Sequence, residues 1–239
     1  LGFKKDRKDK TESAPKTYIK AQANFQKWLQ YYTLYSIQLS YGYDWMKNKR
    51  IHHTFEPLSI NRITILNKTD EFQELLDKNP LLETSFDNMT IIGGNYTFSL
   101  NTQKKADDKS YILLNASAEI AGNTLYSPFR LFNKNGEQPY TILKNAFSQY
   151  AKTEFELRHY WDISRKSRLV TRINTGVGVG YGNSTTLPYI KQFFVGGPNT
   201  LRAFPFRSVG PGRYTSSVNG GDINPIEQTG DIKLVMNAE

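Results

Sequence analysis

The stretch from Tyr35 to Trp45 constrains this chain more than any other. Tyr35, Ile37, Leu39, Tyr41, Tyr43 and Trp45 take alternate positions, with Ser36, Gln38, Ser40, Gly42 and Asp44 between them. A period of two puts the two sets on opposite faces of one strand. One face is then large and apolar, ending in the Tyr and Trp side chains that favour a membrane–water boundary, while the other is polar enough to face water. A half-buried strand of a soluble sandwich alternates in the same way, so the rest of the chain has to decide.

The same period recurs. Ile19, Ala21, Ala23 and Phe25 alternate with Lys20, Gln22, Asn24 and Gln26. A turn without Gly or Pro follows near Trp28 to Tyr32. After a basic turn at Lys47-Asn48-Lys49-Arg50, an extended segment runs to about Leu66, with Pro57 marking a bulge or strand boundary. Further apolar faces are Ile92, Tyr96, Phe98 and Leu100, then Ile112, Leu114, Ala116 and Ala118. Phe155, Leu157 and Trp161 oppose Glu154, Glu156 and Arg158. Ile232, Leu234 and Met236 oppose Lys233, Val235 and Asn237. In the strand Leu169 to Tyr181 the face opposite Ile173, Val177 and Val179 carries Gly176, Gly178 and Gly180. Three alternate glycines leave a strip of bare backbone, which weakens a strand unless something packs closely on it.

The connections carry an independent pattern. They are long at Asn67–Asp87, short at Asn101–Lys109, long at Gly122–Asn145, short at Asp162–Ser167 and longest at Gly182–Thr229. Membrane barrels have short turns on one side and long loops on the other, an asymmetry for which a sandwich has no reason. Within the first long connection, Phe72, Leu75 and Leu76 are spaced as one face of a short helix ending at Pro80. The expected fold is all-β: a transmembrane antiparallel β-barrel, present as a fragment of about eight strands. Residues 1–16 read as a charged linker or turn, and residues 17–239 as the barrel domain.

Composition agrees. The chain has 15 Tyr, 14 Phe and 3 Trp but no Cys, and its mean hydropathy is negative. No run approaches the roughly 18 to 20 apolar residues of a membrane helix, which excludes a helical membrane protein. The first residues lack the apolar stretch of a signal peptide, so the expectation is an internal piece of a longer chain. The formal charge of +9 suits nucleic acid or an anionic lipid surface. No helix-turn-helix, zinc finger or aromatic-basic platform accompanies it, so nucleic acid is not an expected partner. The basic residues instead gather in turns, at Lys47–Arg50, Lys104-Lys105 and Arg165–Arg168, where the plain reading is solvated turn ends. No enzyme is expected: His52, His53 and His159 have no metal spacing, there is no G-x-S-x-G, and Glu154 and Glu156 sit on an alternating polar face. Neither a metal nor a cofactor is called for.

One segment stands outside the strand pattern. Phe193 to Tyr214 reads FFVGGPNTLRAFPFRSVGPGRY, and its Gly and Pro punctuation makes it a defined loop that presents Arg202 between apolar residues. It resembles the barrel loop of the bacterial outer-membrane assembly-factor superfamily, the BamA and TamA type also called bacterial surface antigen proteins. In that family a Gly-Gly pair precedes a Val-Arg-Gly-Phe or Val-Arg-Gly-Tyr tetrad. The pair here is Gly196-Gly197, the tetrad is Leu201-Arg202-Ala203-Phe204, and Gly210-Pro211-Gly212 follows. Ala203 departs from the family glycine, and with Pro205 it looks most like the TamL branch of Bacteroidetes-type envelopes, as does the NPLL segment at Pro80.

The resemblance implies a sixteen-stranded barrel, with the remaining strands and periplasmic POTRA domains outside this fragment. It implies that the loop, residues 183–229, folds into the lumen. There its arginine would latch onto an acidic residue of a following strand; Glu239 matches best, with Asp231, Glu227 or plain solvent as alternatives. Gly176, Gly178 and Gly180 would give the loop room. The implied function is insertion or export of other outer-membrane or surface proteins from the bacterial outer membrane. Its partners would be outer-membrane lipid, client β-barrel or surface proteins and accessory envelope subunits. A secretion pore of the TpsB type shares the tetrad; a passive porin lacks it.

Overall fold

The structure is a computed structural model and describes residues 14–28, 31–77, 83, 85–132, 139–142, 145–210, 212 and 229–239. Strands β1 (Lys16–Trp28) and β2 (Tyr32–Asn48) open an antiparallel meander that continues through β3 (Ile51–Leu66), β4 (Met89–Asn101) and β5 (Ser110–Ala121). Two short strands, β6 (Thr141–Ile142) and β7 (Asn145–Phe147), precede β8 (Tyr150–Ser164) and β9 (Ser167–Gly180). The last elements are β10 (Phe193–Phe194), β11 (Thr229–Gly230) and β12 (Ile232–Ala238). The wall runs in the order β1-β2-β3-β4-β5-β8-β9-β12, each strand antiparallel to its neighbours. It is nearly all sheet, the fold expected of a barrel fragment. No helix among the described residues is long and apolar enough to cross a membrane.

Alternation explains the two faces. Ile19, Ile37, Leu39, Val179, Ile232 and Met236 are all more than half exposed on the outer face. A water-soluble sheet would bury such a row; a wall surrounded by hydrocarbon has no need to. The register slips where β3 carries Pro57, between Glu56 and Ser59, because proline donates no ladder hydrogen bond.

The buried core lies at the end of the wall where the long connections cluster. It joins Tyr32 and Leu34 at the start of β2, Ile63 and Ile65 at the end of β3, and Met89 and Ile91 at the start of β4. Helix α1 (Asp70–Asp77) supplies Phe72 and Leu76, both fully buried. The Thr69 hydroxyl caps it by accepting the Phe72 amide at 3.3 Å, and Asp70 and Glu71 sit where a helix favours negative charge. Phe72 meets Phe86 edge-on at 5.2 Å, and Phe86 packs against Tyr189 at 4.0 Å, so the core reaches from this connection into the longest one. Pro80 and the rest of the NPLL segment lie outside the described residues.

The connection between β5 and β8 has structure of its own. It contains helix α2 (Asn123–Phe132), with Tyr126 against Tyr140 at 5.8 Å, and β7, which pairs in parallel with β4. Pro128 lies inside that helix and breaks the sequence signal that would have exposed it.

Candidate functional site

The inner face of the wall is charged. Glu119 of β5, Lys152, Glu154, Glu156 and Arg158 of β8, Arg172 of β9 and Lys233 of β12 all sit opposite the outward apolar rows. Most are paired: Lys233 Nζ lies 2.5 Å from Glu154, and Arg172 Nε lies 2.8 Å from Glu156, which Arg158 also grips. Low dielectric makes such partners obligatory for partly buried charges.

The chain leaves β9 at Tyr181 and turns back onto this face. Lys191 reaches Glu119 at 2.6 Å, and the Lys191 carbonyl accepts a hydrogen bond from Lys152 Nζ at 2.7 Å. Further along, the Asn199 carbonyl accepts from Arg172 and the Thr200 carbonyl from Asn237 Nδ2 at 3.2 Å. The return is fixed by β10 pairing with β11, which leads directly into β12.

The glycine strip is where the loop seats. A β-carbon on Gly176 would run into the Phe193 ring, one on Gly178 into Leu187, and one on Gly180 into the Thr186 backbone. Bare backbone is therefore covered by the first half of the loop, ahead of the tetrad. Phe193 is 5% exposed on that strip, with Lys152 Nζ 4.2 Å and Lys233 Nζ 5.1 Å from its ring centre.

The tetrad region folds on itself. The Gly197 amide donates to the Phe204 carbonyl at 2.8 Å, and the Thr200 hydroxyl accepts the Gly196 amide at 2.9 Å. Gly196, Gly197, Gly210 and Gly212 have φ of 111°, 91°, 95° and 58°. Gly196 has a second constraint, since a β-carbon there would meet the Pro205 carbonyl. Leu201 is half-buried, while Arg202, Ala203 and Phe204 are exposed; Pro211 lies outside the described residues. Arg202 Nη2 stands 3.8 Å from Glu239 Oε2, with the two side chains 75% and 61% exposed. That is one long contact in reach of solvent, without the geometry of a bidentate fork. Asp231 forms no ion pair with Arg202, and Glu227 lies outside the described residues.

Sequence reasoning missed Arg207. It is 8% exposed, has φ of 59°, and stacks over Tyr189 at 4.2 Å, Phe194 at 5.0 Å and Phe206 at 5.4 Å. Its Nε and Nη1 have no hydrogen-bond partner among the described residues. Burial pulls the guanidinium below its ordinary value, and ring faces take the place of a carboxylate. The available signal was its position directly after Phe204-Pro205-Phe206, an arginine next to aromatic residues in a segment that must fold back.

Taken together, the site holds a loop against the charged face of the wall through ion pairs, backbone acceptors and ring faces. A comparison with curated proteins gives no match. Comparison with known protein families matches residues 3–225 to the Omp85 superfamily domain. The protein belongs to the Omp85 superfamily.

Proposed function

We propose that this protein is an outer-membrane β-barrel assembly or translocation factor, helping to insert or export other outer-membrane or surface proteins, with the Arg202 loop as a latch inside the barrel. The observation that carries this reading is the loop's seat: Leu187 and Phe193 lie on the glycine strip of β9, within the matched superfamily domain. A porin needs an open lumen; a folded-in loop anchored on β5, β8, β9 and β12 suits a barrel whose work is done by its wall. Strand edges pair readily with incoming strands, and a barrel of this kind offers that edge and a perturbed bilayer to a client. No covalent chemistry, metal or cofactor enters the scheme. Its partners are outer-membrane lipid, client barrels or surface proteins, and accessory envelope subunits. Leu201-Arg202-Ala203-Phe204-Pro205 supports placing it on the TamL branch of Bacteroidetes.

The test is depletion of the intact protein in its own host, followed by quantitation of outer-membrane barrels and surface-exposed proteins, with complementation by wild type or Arg202→Glu. Loss of several unrelated clients, restored by wild type and poorly by Arg202→Glu, is expected. Loss of a single exported protein would favour a secretion pore of the TpsB type. A change confined to small-solute uptake would favour a passive channel and end the reading.

A further inference from the structure

The short turns form a basic rim. Lys47, Lys49 and Arg50 lie at the β2–β3 turn, and Lys104, Lys105 and Lys109 at the β4–β5 turn. Arg165 and Lys166 form the β8–β9 turn. Register brings the three turns to one end of the wall, because Ile51 pairs with Leu100 and Ser110 with Trp161. Two backbone bonds join them directly: the Asn101 amide donates to the Arg50 carbonyl at 2.8 Å, and the Asp162 amide to the Lys109 carbonyl at 2.7 Å.

All these basic side chains are exposed, and none of them is in an ion pair among the described residues. The nearby acids are committed elsewhere. Asp162 is held by Arg168, whose Nη2 lies 3.2 Å away, and Asp44 by His52 at 2.7 Å. Asp108 accepts the amides of Lys104 at 2.6 Å and Lys105 at 3.0 Å, and those amides, Lys105 first, hold its carboxyl below the usual carboxylate range. Only Asp107 is left uncommitted among the described acids of these turns. At the opposite end, helix α1 carries Asp70, Glu71, Glu74 and Asp77.

The rim also sits at a particular height. Trp45, stacked on His53 at 5.0 Å, and Trp161, half-exposed on the outer face, lie two residues before Lys47 and four before Arg165. Tryptophans at the close of an apolar band mark where hydrocarbon gives way to headgroups. Long basic side chains just beyond that line extend into the phosphate layer.

We propose that this rim binds the phosphate groups of anionic phospholipids in the membrane leaflet at the short-turn end, fixing a shell of such lipids around that part of the wall. The inference rests on the reading of the chain as a membrane-spanning barrel. The experiment uses the intact protein inserted into phosphatidylcholine vesicles that carry spin-labelled phosphatidylglycerol or spin-labelled phosphatidylcholine. The motionally restricted fraction of each label gives their relative association with the barrel. At low salt, phosphatidylglycerol should associate about fivefold more strongly, the ratio one basic side chain at a membrane surface contributes. Salt should erode that preference. Changing Lys49, Arg50, Lys104, Lys105, Arg165 and Lys166 to glutamine should remove it, while the variant still migrates as a heat-modifiable barrel. Equal association of both labels with the wild type, or a preference retained by the glutamine variant, overturns the proposal. Failure of the wild type to insert into any vesicle overturns the membrane reading and this proposal with it.

Discussion

Two arginines five positions apart in one loop experience opposite environments. Arg207 is buried at the seat among three aromatic rings, with two nitrogens lacking a hydrogen-bond partner among the described residues. Arg202, at the tip, reaches a carboxylate but stays three-quarters exposed. Motif residues attract attention to the tip, yet the free energy resides in the seat. Phe193 and Leu187 on bare β9 backbone, with Arg207 above Tyr189, tie the loop to the same core that α1 closes. The tip is left with one long ion pair, its own backbone turns and the Asn199 and Thr200 carbonyls that Arg172 and Asn237 hold.

The severest way to break that contrast is Arg207→Glu. It puts a carboxylate against the negative faces of three rings without a cation, which should cost about 4 kcal/mol and release the loop. Thermal unfolding in micelles and proteolytic cleavage within residues 181–210 report the two effects. Arg207→Met sharpens the cause. It keeps the ring contacts and removes the desolvated charge, so it should stay within about 1 kcal/mol of wild type. A methionine variant as damaged as the glutamate one would mean the cation itself holds the seat.

Next in size is Gly176→Val. The new side chain occupies the space of the Phe193 ring, and overpacking of this kind costs about 3 kcal/mol. Phe193→Ala in the same chain should return part of that loss, because the cavity it opens lies where the valine needs room. The double variant is measured by the same unfolding curve, and strict additivity would place the clash elsewhere.

Much of this architecture was legible beforehand, for reasons that differ by element. Tyr35–Trp45 could be read because a two-residue period needs no partner to be recognised, and β1, β4, β5, β8, β9 and β12 follow the same rule. Helix α2 could not, because Pro128 interrupts the only local signal it has. Gly176, Gly178 and Gly180 announced a close approach without naming the approaching side chains; Thr186, Leu187 and Phe193 become visible only once the loop's path is known. Arg207 was hidden for the same reason. Its neighbour Phe206 is the one local hint; the rest of its environment is made by Tyr189 and Phe194, distant in sequence.

The smallest expected effect falls on the motif arginine. At 3.8 Å and with both side chains mostly exposed, the Arg202–Glu239 pair should contribute less than about 1 kcal/mol to stability, since exposed ion pairs are offset by side-chain entropy and screened by salt. Arg202→Glu should lower the unfolding midpoint slightly through like-charge repulsion with Glu239. Adding Glu239→Arg restores opposite charges and should recover most of that loss. The coupling energy from the double-mutant cycle should fade at about 0.5 M salt, where the Debye length approaches the separation itself. A coupling of about 2 kcal/mol that survives such salt would erase the contrast between tip and seat, because only a dehydrated, well-formed pair persists under screening.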